Sequence, residues 1–242
     1  MVSVPPLVTL HVWRVPRRSV GRAFARMAAD PRRLRRLPGV RFGKLLGTGT
    51  GTSFGPGDAD LTRYAAVVSW DSGSGGDLGG VGSAWESIAT SAARVDLRPL
   101  TSRGRWSGTA PFGEPSGGPR AGRRETSPGD GPVLALTRAR LRPAKALTFW
   151  RAVPPVAREL AAAPGLLARF GVGEAPVGWQ GTVSVWRDAT DLTRFAYRQP
   201  EHRAVIARTA ATRWYAEDLF ARFTVLGING DRAVLGWREG ER

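Results

Sequence analysis

The 242-residue chain carries two histidines, His11 and His202, and no cysteine. The absence of thiols excludes disulfides, iron–sulfur clusters, thiolate-bound zinc and a cysteine nucleophile. A zinc site needs three or four protein ligands, for which two histidines far apart in sequence are a poor start. An iron porphyrin asks less, because the ring supplies four nitrogens and the protein needs to add one. His202 stands in Gln199-Pro200-Glu201-His202-Arg203. Pro200 suits the first position of a helix, which puts His202 in the first turn. There the positive end of the helix dipole disfavours imidazolium and leaves the neutral ring that binds metals. The same pattern describes an ordinary exposed histidine at a helix start. His11 falls inside the first expected strand, on the side of Trp13, where a hydrogen-bonding role in the core or a pocket is expected.

Other motifs give less. Gly47-Thr48-Gly49-Thr50-Gly51-Thr52-Ser53-Phe54-Gly55 has the look of a phosphate loop but not its spacing. The third glycine of G-x-G-x-x-G falls on Thr52 or Phe54, and no Gly-Lys-Ser/Thr follows. A flexible loop, in the place of a lid, is expected instead. No Gly-x-Ser-x-Gly elbow precedes a helix. Nine tryptophans and nine phenylalanines are enough to line a large apolar pocket as well as a core. Trp106 lies in a glycine-rich stretch where strand packing does not call for it, so it is a candidate to close a site or cover an edge.

The elements that would carry these residues repeat. In the first half, Val8–Val15 reads as a strand. A helix starts at Ser19 with Val20, Phe24, Met27 and Ala28 on one face, is interrupted at Asp30-Pro31 and ends at Leu37-Pro38-Gly39. Strands follow at Val40–Leu46 and Tyr64–Trp70, then a helix near Ala84–Ala93 and a strand near Val95–Thr101. In the second half a strand at Val133–Leu141 precedes a helix at Ala144–Ala163, broken at Pro154-Pro155. Strands at Leu167–Val172 and Gly181–Trp186 come next, then a helix capped by Asp188 through Tyr197, and a last strand at Leu219–Leu226. Each half is β-α-β-β-α-β, the ferredoxin-like plan of an α+β protein. The expected division is 1–112, a Gly/Pro/Arg-rich joiner at 113–131, and 132–242, with the two half-sheets packing into an α/β barrel within one chain.

The chain is 42% hydrophobic and carries a formal charge of +16, with two lysines, Lys44 and Lys145, against 34 arginines. The cations are spread along the chain, with one local cluster at Arg17-Arg18 and Arg32-Arg33-Leu34-Arg35-Arg36. A solvated basic face is the default reading. Contact with an anionic membrane or partner is the functional alternative, and specific nucleic-acid binding is not expected. No signal peptide and no membrane-spanning stretch is legible, and the lack of cysteine fits a cytoplasmic protein.

Five segments together give a specific resemblance. They are Gly104-Arg105-Trp106-Ser107-Gly108 with Pro111-Phe112; Leu136-Thr137-Arg138-Ala139 with Arg142-Pro143; Phe149-Trp150-Arg151 with Val153-Pro154; Gly171-Val172-Gly173-Glu174 with Pro176; and Trp214 to Phe223. Gly43-Lys44-Leu45-Leu46-Gly47 adds a weaker match. The chain resembles the spheroidene monooxygenases of carotenoid biosynthesis over nearly its whole length. The resemblance implies a haem b enzyme of the dimeric α/β-barrel type that uses dioxygen or peroxide, with an electron donor, to oxygenate an apolar polyene. It also implies a homo-oligomer. It makes His202 the iron ligand, Arg203, Arg194 and Arg198 candidates to meet the haem propionates, and Trp106 part of the cofactor site. Departures at 58–62, 71–82 and 113–131 put the substrate in question. The alternatives are therefore a haem-dependent dehydratase of aldoxime type, a peroxidase, or a non-catalytic carrier of haem or another hydrophobic ligand.

Overall fold

A computed structural model describes residues 4–52, 56–72, 75–113, 131–174, 179–198 and 212–238. Eight strands form a closed antiparallel barrel: β1 (Leu7–Arg14), β2 (Val40–Gly49), β3 (Ala59–Trp70), β4 (Ser91–Gly104), β5 (Val133–Leu141), β6 (Leu166–Gly173), β7 (Trp179–Trp186) and β8 (Tyr215–Gly230). Around the ring the order is β1-β3-β2-β6-β7-β5-β8-β4. Each half of the chain thus supplies four adjacent strands. The halves join where β2 meets β6 at Gly47–Gly173 and where β4 meets β8 from Ala93–Gly230 to Gly104–Leu219. Among the described residues four helices lie outside: α1 (Val20–Leu34), α2 (Gly79–Glu86), α3 (Ala146–Ala161) and α4 (Ala189–Arg198). No helix among the described residues is long and apolar enough to cross a membrane.

Strand alternation sorts the side chains. Val8, Leu10 and Val12 of β1, Ala65 and Val67 of β3, Leu134 and Leu136 of β5, and Ala221 and Phe223 of β8 fill the barrel, as the two-residue period requires. The gap left among them is about 10 Å³, the space of one water. The opposite face of β1–β3 packs under α1 and α2 as one aromatic-rich layer that includes Trp13, Tyr64, Trp70 and Trp85. Over the second half the outer layer is divided. Val133 and Ala135 pack with Trp186, Leu192 and Phe195, whereas Leu141 packs with Phe149, Val153 and Trp214. Between these two clusters β5 presents Thr137 and Ala139, opposite Thr182 and Gln180 of β7.

Three expectations for helices need correction. α1 continues through Pro31, and α3 through Pro154 and Pro155. An internal proline costs about 3 kcal/mol. In α3, burial of Phe149, Ala152 and Val153 before the break and of Ala157 and Leu160 after it offsets that cost. Asp30, buried in α1, pairs with Arg26 and Arg33 on either side of Pro31. The face of α1 also differs, because Phe24 and Ala28 point to solvent while Ala23 and Leu34 are buried. The second helix forms at Gly79–Glu86, earlier than expected and against glycine's weak propensity. Trp85 locks it in place, stacking on Trp13 at 5.2 Å, while Ala92 and Ala93 are taken up by β4. The expected flexible loop is partly strand, since Gly47–Gly49 end β2. Thr50–Thr52 are tied to buried Asp58, which accepts from the Gly51 amide (2.9 Å) and from both threonine hydroxyls. Asp188 does cap α4, accepting from the Asp191 amide at 2.8 Å.

Candidate functional site

Five charged or aromatic side chains meet at one end of the barrel. Lys44 comes from β2, Trp106 from the loop after β4, Arg138 from β5, Glu174 from the end of β6 and Glu217 from β8. Strand parity brings them there. Arg138 continues the inward row of Leu134 and Leu136, Glu174 that of Phe170 and Val172, and Lys44 that of Leu46. Gly104 turns the chain into the loop with φ +87, and a Cβ there would lie 2.2 Å from the Asp218 carbonyl oxygen. Only glycine tolerates both conditions.

The contacts are dense. Glu174 Oε1 accepts from Trp106 Nε1 at 2.7 Å and from Arg138 Nη2 at 2.8 Å, and its Oε2 accepts from Lys44 Nζ at 2.7 Å. Lys44 also donates to Ser107 Oγ at 2.7 Å. Glu217 accepts from the amides of Ser107 (3.0 Å) and Gly108 (2.8 Å) and pairs with Arg138 Nη1. Trp106 is wholly buried, with the Arg138 guanidinium 5.7 Å from its ring centre and Phe42 5.2 Å away. Burial by itself would raise the Glu174 carboxyl. Hydrogen bonds from Lys44 and Trp106, with the charges of Lys44 and Arg138, outweigh it and hold the group below the usual carboxylate range. Glu217 is likewise held low, against burial, by the Gly108 and Ser107 amides and by Arg138.

Two cations thus balance two carboxylates, and both carboxylates stay ionised at neutral pH. Each carboxylate oxygen is already engaged. The carboxylates, ionised and bonded to donors, serve as counter-charges to Lys44 and Arg138. It binds the 104–108 loop across four strands, and the space beside it, lined by Leu46, Trp106, Arg138, Val172, Glu174 and Gln180, amounts to about 10 Å³. Gln180 connects this end to the outer layer by accepting from Trp150 Nε1 of α3 at 3.0 Å.

The residues singled out from the sequence are placed as follows. His202 and Arg203 lie outside the described residues, in the segment joining α4 to β8, as does the side chain of Arg198. Arg194 donates to Asp191 Oδ1 of its own helix at 2.7 Å and is half exposed. His11 stacks on Trp13 at 5.8 Å, and its Nε2 is 3.1 Å from Thr9 Oγ1. The same hydroxyl oxygen accepts from Trp70 Nε1 at 2.9 Å, so Thr9 ties both rings together. Burial and the charge of Arg94, opposed by Asp77, push the His11 imidazole down to about 3. The ring is neutral and its Nε2 is engaged by Thr9 within the first half. Among the described residues no group of three or more His, Asp or Glu could hold a metal ion.

Lys44, Arg138, Glu174 and Glu217 were not singled out as site residues. Their signal was a charge at the inward parity of an apolar strand, and four of the segments that carry the family resemblance each bring one of the five cluster residues. No protein-family model matches the chain. A spheroidene monooxygenase of Rhodobacter capsulatus is 32% identical over 93% of this chain and 92% of its own length. One of Rubrivivax gelatinosus is 33% identical over 80% of this chain and 72% of its own. Among solved structures, an aldoxime dehydratase in complex with butyraldoxime matches with a TM-score of 0.51 at 11% identity, covering 90% of this chain and 79% of that one. An anthrone oxidase-like protein covers 93% and 92% at 14% identity with a TM-score of 0.34. The aldoxime dehydratase likeness shows a shared fold, while identity maintained over nearly the full length of both chains shows kinship. The chain belongs to the spheroidene monooxygenase family.

Proposed function

We propose that this protein is a haem-dependent monooxygenase that places oxygen on an apolar, unsaturated substrate of the carotenoid type. The observation that carries the reading is the full-length similarity to spheroidene monooxygenase. We further propose that residues 1–112 and 132–242 are ferredoxin-like halves joined by 113–131. The strand orders β4-β1-β3-β2 and β8-β5-β7-β6 support this.

The outer face of the second half fits a bound apolar group. Its apolar side chains fall into two separate clusters, with the small Thr137, Ala139 and Thr182 between them, and the segment with His202 connects two elements of this half. In this reading His202 holds the iron as a neutral imidazole, and Arg203, Arg198 and Arg194 meet the propionates, a task that suits the paired donors of guanidinium. Haem supplies the activation of dioxygen or peroxide. Trp106 enters as a positioning residue. Fully buried and bonded to Glu174, it keeps the barrel end shut while Arg138 fixes the stretch of β5 that bears Thr137 and Ala139.

The test is reconstitution with haemin. The expected result is one haem per chain by pyridine haemochrome and a Soret band that His202→Ala abolishes or shifts while His11→Ala leaves it unchanged. Added imidazole should restore the His202→Ala spectrum. Reduced holoenzyme given a polyene under labelled dioxygen should form labelled product. Failure to take up haemin would overturn the cofactor assignment. Anaerobic turnover of an aldoxime, with no label in any polyene, would replace oxygenation by dehydration, and haem uptake without turnover of either would indicate a carrier.

A further inference from the structure

We propose that the exposed face of α1 docks this protein onto an anionic lipid bilayer. The helix buries Ala23, Asp30 and Leu34 against the barrel and α2. The opposite arc presents Gly21, Arg22, Ala25, Ala28, Ala29, Arg32 and Arg33, continued by Arg17 and Arg18 before the helix and by Arg35 and Arg36 after it. The sole acid of α1 is Asp30, which lies on the buried side and is already paired with Arg26 and Arg33. Among the described residues Arg17, Arg18, Arg22, Arg32, Arg35 and Arg36 have no carboxylate partner. The neighbouring α2 adds one charge, Glu86. That Glu86 aside, the exposed arc of α1 itself, about 20 Å long, carries positive charge alone, complementary to a bilayer rich in anionic headgroups.

Charge is not the whole pattern. The arginines are separated by glycine and alanine, so the arc is shallow and can lie flat on a plane. Phe24 stands at its edge with half of its surface exposed (52%), resting edge-on against Tyr64. The Tyr64 hydroxyl bonds the carbonyl of Leu61, and Leu61 is itself 53% exposed. Asp60 beside it is shielded by Arg14 and Arg63. Arginine for headgroup phosphates with an aromatic and an aliphatic side chain for the acyl boundary is the chemistry of an interfacial contact. A surface for duplex nucleic acid would use the arginines for phosphates but has no use for exposed Leu61. Because the apolar side of α1 is spent on the barrel, the helix docks on the bilayer without entering it.

The experiment floats the full chain with vesicles of phosphatidylcholine alone or with about 30% phosphatidylglycerol. Binding is expected to the mixed vesicles and not to the neutral ones, and to weaken as salt is raised. Each arginine removed from the surface should lower partitioning roughly fivefold. Arg22→Gln/Arg32→Gln/Arg36→Gln should therefore lose about a hundredfold. Arg98→Gln/Arg151→Gln/Arg158→Gln, with the same loss of charge on β4 and α3, should lose little. Phe24→Ser should remove the part of binding that survives salt. Melting curves exclude misfolding as the cause. Equal losses in the two triple variants would assign the binding to diffuse net charge and overturn the proposal. So would undiminished binding by the α1 variant, absence of binding to the mixed vesicles, or preferential capture of duplex RNA when both are offered. The outcome is independent of haem content.

Discussion

Arg138→Ala tests whether the charged cluster holds the barrel end. Arg138 is 5% exposed and pairs with both Glu174 and Glu217. The variant leaves two ionised carboxylates without their shared partner. Breaking a buried pair costs about 3–5 kcal/mol. Two features reduce that here, because the side chains of Glu174 and Glu217 keep 18% and 15% of their surface. Glu174 also retains Lys44, and Glu217 retains two amides. About 3 kcal/mol is expected, which for a domain of this size is a fall in Tm of about 10 °C. Urea unfolding and calorimetry at pH 7 measure it. The pH dependence is a sharper check. Both carboxylates titrate in the folded protein below their ordinary value of 4.5. Their stabilisation is therefore complete above about pH 4.5 and fades as the pH falls through the folded values. The variant has less of it to lose, so the gap between the two proteins should narrow on acidification below pH 4.5. Arg138→Lys, which keeps the charge but not the fork, should fall between them. A loss under about 1 kcal/mol at pH 7, or a gap constant with pH, would refute the reasoning.

Gly104→Ala, with its Cβ driven against the Asp218 carbonyl, should cost about 2–3 kcal/mol, and Gly108→Ala, which also has positive φ but open space around it, about 1 kcal/mol; paired thermal melts separate the clash from the backbone cost. His11 is neutral when folded and titrates near 6.5 when unfolded, so its contribution is present above pH 6.5 and is lost as the pH falls toward 3. His11→Gln should flatten the stability profile between pH 6.5 and 4.5, above the range of the carboxylates, and an unchanged slope there would show that the ring is not buried neutral.

Several features could be read locally. The strand at Val133–Leu141 has the bounds seen in the fold, the Asp188 cap is in place, and the repeat of elements matches the two sets of four strands. These rest on two-residue alternation and on a side chain bonding its own backbone a few residues on, which short segments determine by themselves. The helix errors have the opposite origin. Pro31 and Pro154-Pro155 break helices in isolation, and Gly79–Gly82 discourage one. Burial of Leu34, Leu160 and Trp85 against distant strands outweighs these local preferences, and a window along the chain does not register that gain. The site divides in the same way. His202, Trp106 and the arginines stood out by type, and the family likeness lay in the motifs. That Lys44, Arg138, Glu174 and Glu217 meet at Trp106 was not legible, because their positions along the chain say nothing of their separation in space. Pairing of β2 with β6 and of β4 with β8 brings the halves into one ring, and a charge at inward parity can remain there because that closure supplies its counter-charge from another strand.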